Sequence, residues 1–284
     1  MTLDRRRLLQ LTATGAAGLL IGGRGTFGAP GPIDAIVDDA VNFFGQHGYS
    51  QVPPLSLITG NDINGGLRYD EMRPEPAVAP ELIIQPVARV SDIAERNRAG
   101  VLAGFNIIGL NKPGESDGSL LADVVDFLAG RRGLDPERIH YVSTEHFRPY
   151  IERIDALASG TFYERSLDEA LAAGDGSGVF APADHPLKPS FHTVGIYYPQ
   201  PDTVPGTPTA YPPEGFIEIA EIGIPLEGEG DQIGGIGLER LAMAEGETLP
   251  DFEETLLNLL RAIEDEAART GRPLPDGYTK FASL

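Results

Sequence analysis

The chain has 284 residues and a hydrophobic content of 41%, so it can bury a large core and is not a disordered protein. Asp and Glu total 42 against 22 Lys and Arg, and the resulting formal charge of −20 disfavours stable binding to nucleic-acid phosphates. The chain has no cysteine, which excludes disulfides, thiolate zinc sites and cysteine nucleophiles.

The first thirty residues form a separate segment. Arg5, Arg6 and Arg7 precede the uncharged stretch 8–23, an order that resembles a twin-arginine export signal. A frayed N-terminal helix, or a start codon set too far upstream, is the alternative. The stretch is too short and too rich in Gly, Ala and Thr for a membrane span, so none is predicted. Localisation stays open between the cytoplasm and export, and 31–284 is expected to be one domain.

Apolar periodicity and turn residues divide this domain into short helices and strands. In the first half they predict a helix over 33–45, an extended segment over 50–58, a turn over 61–66, strands over 81–90 and 96–110, and a helix over 120–128. In the second half they predict a strand over 136–143, a mixed segment over 145–159, an acidic helix over 167–173, a proline-rich loop over 199–213, a strand over 216–224, and helices over 238–244 and 251–270. This irregular order predicts an α+β fold, with an antiparallel sheet flanked by helices, in preference to a doubly wound array.

A glycine string precedes the helix at 238. Its backbone N–H groups could face an anion, although such glycines more often open a helix without any ligand. The string 235–243, Gly-Ile-Gly-Leu-Glu-Arg-Leu-Ala-Met, resembles motif 3 of class II aminoacyl-tRNA synthetases. In that family the arginine, here Arg240, contacts a terminal phosphate of bent ATP, a task that suits the planar, permanently charged guanidinium. A solvated ion pair between Glu239 and Arg240 is the alternative.

The resemblance extends over about 33–265 in the order of the alanyl-type enzymes. The similar segments are the helix with Phe43 and Phe44, and the strings 47–53, 85–89, 133–138 and 216–219. The resemblance implies a class II synthetase-type sheet with ATP, Mg²⁺ and an amino acid as ligands. It also implies that Gly235 and Gly237 approach the nucleotide and that Phe105 stacks on adenine. Mg²⁺ would enter with ATP and be held by Glu218 or Glu229, since it needs few protein carboxylates.

Two regions depart from the family pattern. At motif 2, Arg98 lies two residues from the position of the arginine that contacts the α-phosphate, and Asn106 stands where a carboxylate is expected. Loss of one such donor costs on the order of 10²–10³ in rate. In the amino-acid pocket, Ile233 falls near the family's aspartate, and Ala220-Glu221 replaces Trp-Asn. Glu221 would then bind the substrate ammonium, or it is the exposed face of a strand, and Ala220 would enlarge the pocket for a substrate other than alanine.

Other reaction classes lack their residues. The five histidines show no metal-binding spacing, and neither a nucleophile elbow nor a Rossmann or P-loop pattern is present. The resemblance to class II synthetases therefore implies ATP-dependent formation of an aminoacyl-adenylate, with Arg240 and Arg98 as catalytic residues, by a core without tRNA-binding and editing domains.

The partners are less defined than the reaction. The acyl acceptor is left open between a carrier protein and a small amine, because the negative charge disfavours stable tRNA binding. A non-catalytic paralogue that binds an amino acid or a nucleotide, in a regulatory or scaffolding role, is the main alternative. An exported binding protein on the same scaffold is a third reading. A homodimer is compatible with the motifs but is not decided by them.

Overall fold

A computed structural model describes most of the chain. It covers residues 32–60, 62–63, 77–89, 93, 96–97, 100–114, 116–153, 159–180, 191–200, 215–226, 230–248 and 251–282. The segment 1–30, Arg98, and most of the turn at 61–66 and of the loop at 199–213 lie outside these residues, so the predictions made for them stay predictions.

The predicted helices are largely confirmed. Within the described residues the helices are α1 (Pro32–Gln46), α2 (Ser119–Val125), α3 (Arg148–Arg153), α4 (Leu167–Ala173), α5 (Leu238–Ala244), α6 (Phe252–Thr270) and α7 (Tyr278–Ala282). A π-helical turn over Asp126–Arg131 extends α2. The short α4 is held at both ends, by a capping box of Ser166 and Glu169 and by Gly174 in the left-handed conformation. None of these helices is long and apolar enough to cross a bilayer.

Most strands belong to one sheet. They are β1 (Ser50–Val52), β2 (Ile58–Thr59), β3 (Asp62–Ile63), β4 (Glu81–Ala88), β5 (Gly104–Lys112), β6 (His140–Thr144), β7 (Thr161–Arg165), β8 (Val179–Phe180), β9 (Phe191–Pro199), β10 (Phe216–Pro225) and β11 (Gln232–Gly237). In the part of the chain that the structure describes, the large sheet has nine strands, with the order β1-β4-β5-β11-β10-β9-β6-β7 and β8 beside β9. A separate pair is formed by β2 and β3.

The prediction of an antiparallel sheet is wrong in part, because the sheet is mixed. The central strands from β4 to β6 are antiparallel, but β1 pairs parallel with β4 and β7 pairs parallel with β6. Each parallel pair is joined by a connection long enough to return the chain to the same end of the sheet.

Helices cover one face of this sheet. Ile36 and Phe44 of α1 and Val124 of α2 pack in the main core with Ile108 of β5 and Ile222 of β10. A second apolar cluster lies under α6. The opposite face of the sheet is therefore the one on which polar side chains can gather.

The glycine string is a strand and not only a helix entry. All six residues 232–237 pair with β5, four of them opposite apolar residues or glycine, and the strand ends directly at α5. A Cβ at Gly234 would lie 2.6 Å from Cδ1 of Ile222, so glycine permits the close approach of β10 and the core.

Candidate functional site

A β-bulge in β10 brings two glutamates to one face of the sheet. Glu218 pairs with Tyr197 of β9, but the next paired residue is Ala220, so Ile219 is an extra residue. In a regular strand, residues 218 and 221 would point to opposite faces. The extra residue places both glutamates on one face, here called the site face, with Tyr197. Ile219 and Ala220 are both buried in the core on the opposite face.

Glycines surround Glu221 on the site face. The strand register places Gly109 of β5, Gly235 of β11, Glu221 and Gly195 of β9 in one row across the sheet. Of these four residues only Glu221 has a side chain, and Gly109 and Gly195 are buried. The place of a Cβ on Gly195 is filled by the hydroxyl of Ser177.

Arg240 joins this face from the first turn of α5. Its guanidinium lies 4.7 Å from the centroid of the Phe105 ring, and Nη1 donates to Oε2 of Glu218 at 3.1 Å. The Nε atom donates to the carbonyl of Gly100 at 3.2 Å. The Arg240 and Glu218 side chains are 12% and 22% exposed. The structure thus brings together three residues that the motifs predicted, namely Arg240, Phe105 and Glu218.

The loop 174–178 closes one side of Glu221. A Cβ on Gly176 would lie 2.5 Å from Oε2 of Glu221, and the φ of Gly176 is +87°, a conformation that favours glycine. Arg165 holds this loop, because its Nη1 and Nη2 atoms donate to the two carboxylate oxygens of Asp175 at 2.8 and 2.9 Å. The negative charge of Asp175 therefore already has a bidentate counter-ion.

Tyr197 connects the loop to Glu218. The Tyr197 hydroxyl donates to Oε1 of Glu218 at 3.2 Å and lies 3.2 Å from the hydroxyl of Ser177. Both Glu218 oxygens are thus engaged, one by Tyr197 and one by Arg240. In contrast, no donor among the described residues reaches the Glu221 carboxylate.

The environment disfavours negative charge at both glutamates. Burial raises the pKa of Glu218, and it raises that of Glu221 well above the usual value. The charge of Glu218 raises the Glu221 pKa further. The guanidinium groups of Arg240 and Arg89 act in the opposite direction on both residues.

Arg89 is a member of the site that the sequence reasoning did not single out. It directly follows β4, and its N–H donates to the carbonyl of Ala103 at 2.8 Å, so the β4–β5 pairing continues to this residue. Side chains alternate along a strand, so Arg89 is expected on the same face of the sheet as Val87. Val87 pairs with Phe105, which lies on the site face. Its charge lowers the pKa values of the two site-face glutamates. Period-two alternation through 85–89 was the signal that could have found it.

Asn106 lies on the face opposite to Phe105 and binds Glu239. Its backbone N–H donates to Oε2 of Glu239 at 2.8 Å, and its Nδ2 donates to Oε1 at 2.7 Å. Asn106 and Glu239 are 4% and 1% exposed. Burial raises the pKa of Glu239 to about 7, although the two hydrogen bonds from Asn106 act to lower it. The alternative of a solvated Glu239–Arg240 pair therefore does not describe this structure, because Glu239 is buried and Arg240 binds Glu218.

The remaining predicted residues are not all in contact with this cluster. Gly235 and Gly237 are positions of β11 that belong to the site face. Ile233 is half-buried near the start of that strand. Ala220 is 3% exposed and belongs to the core, so it does not border Glu221 on the site face. Arg98 lies outside the described residues. The roles in binding and catalysis given to these residues stay predictions.

A pocket apart from the site face lies at the carboxyl ends of β6 and β7. It is a pocket of about 370 Å³ lined by Thr144, Glu145, His146, Glu164, Arg165, Ser166, Leu167 and His192. His146 and His192 stack with ring centroids 3.5 Å apart, and burial lowers the pKa of both, that of His192 to about 4. Both imidazoles are therefore neutral at pH 7. No sequence pattern indicates this pairing, since the two histidines are 46 positions apart.

Preformed metal ligation is absent from the part of the chain that the structure describes. No group of three or more histidines, aspartates or glutamates there is arranged to hold a metal ion. Mg²⁺ that accompanies a nucleotide needs only one or two protein carboxylates besides phosphate oxygens, and Glu218, predicted for this role, lies on the site face.

Comparisons with known proteins give structural but not sequence matches. The chain matches no protein-family model and no curated protein. One similar solved structure is pyrrolysyl-tRNA synthetase from Desulfitobacterium hafniense, with 14% identity, a TM-score of 0.40, and coverage of 75% of this chain and 69% of that one.

Two further solved structures are similar to the chain. Apo histidyl-tRNA synthetase from S. aureus has 13% identity, a TM-score of 0.37 and coverage of 81% and 78%. Aspartyl tRNA synthetase from Entamoeba histolytica has 12% identity, a TM-score of 0.34 and coverage of 79% and 57%. None of these three is of the alanyl type, so the alanyl likeness of the motifs stays a prediction.

Proposed function

We propose that the chain is a class II synthetase-like core that activates an amino acid with ATP. The observation that carries this proposal is the contact of Arg240 with Phe105 and Glu218, beside Glu221, whose carboxylate accepts no hydrogen bond from the described residues. The resemblance of 235–243 to motif 3 supports the same assignment, because Arg240 is the motif's arginine. The alanyl type is the finer proposal, and it rests on the order of the other segments alone.

The nucleotide would bind at Phe105 and Arg240. A phenyl ring next to a guanidinium offers one aromatic face for adenine and a fork of donors for phosphate oxygens. Because Arg240 now covers the Phe105 ring, binding of the base requires Arg240 to shift from this ring. The guanidinium would then leave Glu218 and turn toward the phosphates, with Arg89 as the second cation.

The amino acid would bind at Glu221. Its carboxylate is half-buried and accepts no hydrogen bond from the described residues, and Coulomb attraction to an ammonium group is stronger in such a site than in water. A carboxylate oxygen of the substrate then attacks the α-phosphorus of ATP, the bond to the bridging oxygen breaks, and pyrophosphate leaves. The protein contributes position and positive charge, through Arg240 and Arg89. Mg²⁺, held by Glu218 and phosphate oxygens, would supply further charge neutralisation.

A non-catalytic binding role is the second candidate, and one observation favours it. The Glu218 carboxylate and the Tyr197–Ser177 contacts hold Arg240 in place, so part of its positive charge is already neutralised. A protein that keeps this ion pair when ligand binds would bind an amino acid or a nucleotide without activating it.

The acceptor and the assembly are part of the proposal. The charge of −20 disfavours stable tRNA binding, so a carrier protein or a small amine would take the acyl group. A cytoplasmic enzyme has access to ATP, and the export reading of 1–30 would instead favour the binding role. A homodimer is compatible with both candidates.

Amino-acid-dependent ATP–pyrophosphate exchange tests the proposal. The full chain would be assayed with each of the twenty amino acids, beside Arg240→Ala and the matched exposed control Arg269→Ala. We expect exchange with one or a few amino acids, its loss in Arg240→Ala, and its retention in the control. Folded wild-type protein that exchanges with none of them contradicts activation. Ligand-dependent stabilisation of that inactive protein, of size RT ln(1 + [L]/Kd), supports the binding role.

A further inference from the structure

Two buried hydrogen bonds tie the start of α5 to β5. The backbone N–H of Asn106 donates to Oε2 of Glu239, and the Nδ2 atom of Asn106 donates to Oε1. Both residues are almost fully buried. Because the bonds come from the main chain and the side chain of one residue and use both carboxylate oxygens, they fix the distance and the orientation of Glu239 relative to β5.

This pair continues the connection where the strand ladder ends. β11 pairs with β5 as far as Gly237, which stands opposite Ile107, and the chain then turns into α5. The N–H of Asn106 lies one residue beyond that last pair, and the Glu239 carboxylate accepts from it in place of a strand carbonyl. Leu238 also packs α5 on the core, but apolar contact is non-directional and does not fix α5 along the strand.

Each member of the pair is the chain neighbour of a residue in the nucleotide site. Phe105 precedes Asn106 and Arg240 follows Glu239, and the Arg240 guanidinium lies 4.7 Å from the centroid of the Phe105 ring. Gly237 permits this close approach, since a Cβ there would lie 3.3 Å from Cδ of Arg240 and 3.5 Å from Cε2 of Phe105. The hydrogen bonds between residues 106 and 239 thus hold the main chain on both sides of the contact.

We infer that Asn106 and Glu239 are positioning residues, which hold Phe105 and Arg240 at the spacing that a bent nucleotide bridges. This inference rests on the proposed function, in which Phe105 receives adenine and Arg240 receives a phosphate. A ligand that contacts both residues gains the second contact at high effective concentration, but only when the spacing is right. A misplacement of about 1 Å can cost on the order of 10²-fold. A ligand that contacts one residue alone is not subject to this loss.

Two other roles for the pair give different results. If the hydrogen bonds only stabilised the fold, their loss would weaken all ligands of the site to a similar extent. If the negative charge of Glu239 acted on the ligand directly, any variant without that charge would change binding. A positioning role instead requires that the hydrogen bonds matter and that ligands which bridge Phe105 and Arg240 suffer most.

The test compares a bridging ligand with its two halves. Isothermal titration calorimetry on the full chain would use ATP with an α,β-methylene bridge, adenosine, and inorganic tripolyphosphate, with Mg²⁺ present. It would be run at pH 8, where most of Glu239, whose pKa burial raises to about 7, is ionised and accepts both hydrogen bonds. Asn106→Leu removes the side-chain donor at nearly constant volume. We expect it to weaken the ATP analogue at least about tenfold, and adenosine and tripolyphosphate less than about threefold.

Two variants are the matched controls. In Glu239→Gln the Asn106 amide can turn so that its oxygen accepts from the new amide, while the backbone N–H still donates to the glutamine oxygen. Affinity for all three probes should then stay within about threefold of wild type. Thr255→Val removes another buried bond next to β5, which the N–H of Ala103 donates to Oγ1 of Thr255 at 3.1 Å. It should lower the thermal midpoint and leave the relative affinities of the three probes unchanged.

Each outcome decides a different point. Equal weakening of the three probes by Asn106→Leu, or an unchanged affinity for the ATP analogue, overturns the positioning role and leaves nucleotide binding intact. A loss in Glu239→Gln as large as in Asn106→Leu also overturns it, because charge would then be the cause. If Asn106→Leu does not fold, the smaller change Asn106→Ser supplies the same comparison. Absence of pyrophosphate exchange, with the expected binding pattern, contradicts activation alone. Wild-type protein that binds none of the probes overturns both proposals.

Discussion

The buried pair of Glu239 and Asn106 yields a prediction for stability as a function of pH. Burial raises the pKa of Glu239 from 4.5 to about 7, so the folded protein binds a proton at this residue more tightly than the unfolded chain does. The stability contribution of Glu239 is therefore largest below pH 4.5 and is lost as the pH rises through 7. Arg240 is the charged neighbour that opposes this shift, and Asn106 offers only neutral donors.

The magnitude follows from the two pKa values. One pKa unit corresponds to about 1.36 kcal/mol, so the whole shift is worth roughly 3 kcal/mol. Between pH 5 and pH 8 the linkage relation gives a loss of about 2.5 kcal/mol, because part of the titration lies below pH 5. Glu239→Gln removes the titrating group and keeps the shape, so this pH-dependent part should vanish in the variant.

Urea unfolding followed by circular dichroism at pH 5, 6, 7 and 8 measures the effect. The quantity of interest is the free energy of unfolding of wild type minus that of Glu239→Gln, in which contributions such as that of His192 cancel. We expect this difference to fall by about 2.5 kcal/mol from pH 5 to pH 8. For the exposed control Glu247→Gln, the corresponding difference from wild type should vary with pH by no more than a few tenths of a kcal/mol. A constant difference for Glu239→Gln refutes the raised pKa and with it the argument from burial.

Three substitutions away from the site test the packing of the fold. Gly234→Ala places a methyl 2.6 Å from Ile222 and should destabilise the chain by about 1–3 kcal/mol in urea unfolding; an unchanged midpoint contradicts the close packing. Ser166→Ala removes the capping box of α4 and should cost about 1 kcal/mol, whereas Ser166→Asp, a good cap, should cost less. The Arg132 side chain, 15% exposed, binds both Asp39 and Glu245. Arg132→Met removes both ion pairs and should lower the thermal midpoint by several degrees, so equal midpoints contradict a stabilising role for them.

Sequence patterns predicted the parts of the fold that depend on local periodicity. α1 and α6 were found because their apolar residues recur at the helical period, and Arg240 was found because a specific motif surrounds it. β9 was missed, since it is buried on both faces from Thr193 onward, and His192, Thr193 and Gly195 interrupt its apolar run. β11 was taken for a helix entry because half of its six residues are glycine, which has low strand propensity.

The site itself depends on relations between distant residues. Regular alternation separates Glu218 from Glu221, and only the pairing of β10 with β9 reveals the extra residue at 219. The hydrogen bonds from Asn106 to Glu239 join residues 133 positions apart. Asn106 was expected to face the substrate because of its place in a motif, whereas the structure buries it behind Phe105.

The bulge at Ile219 makes the acidic pair a property of chain length as well as of residue type. Deletion of this single residue would restore a regular ladder and rotate one half of β10 by half a turn relative to the other. One glutamate would then face the helices while both remained in the sequence. In evolution, the pair could thus be gained or lost by one inserted or deleted codon, with no substitution of either acidic residue.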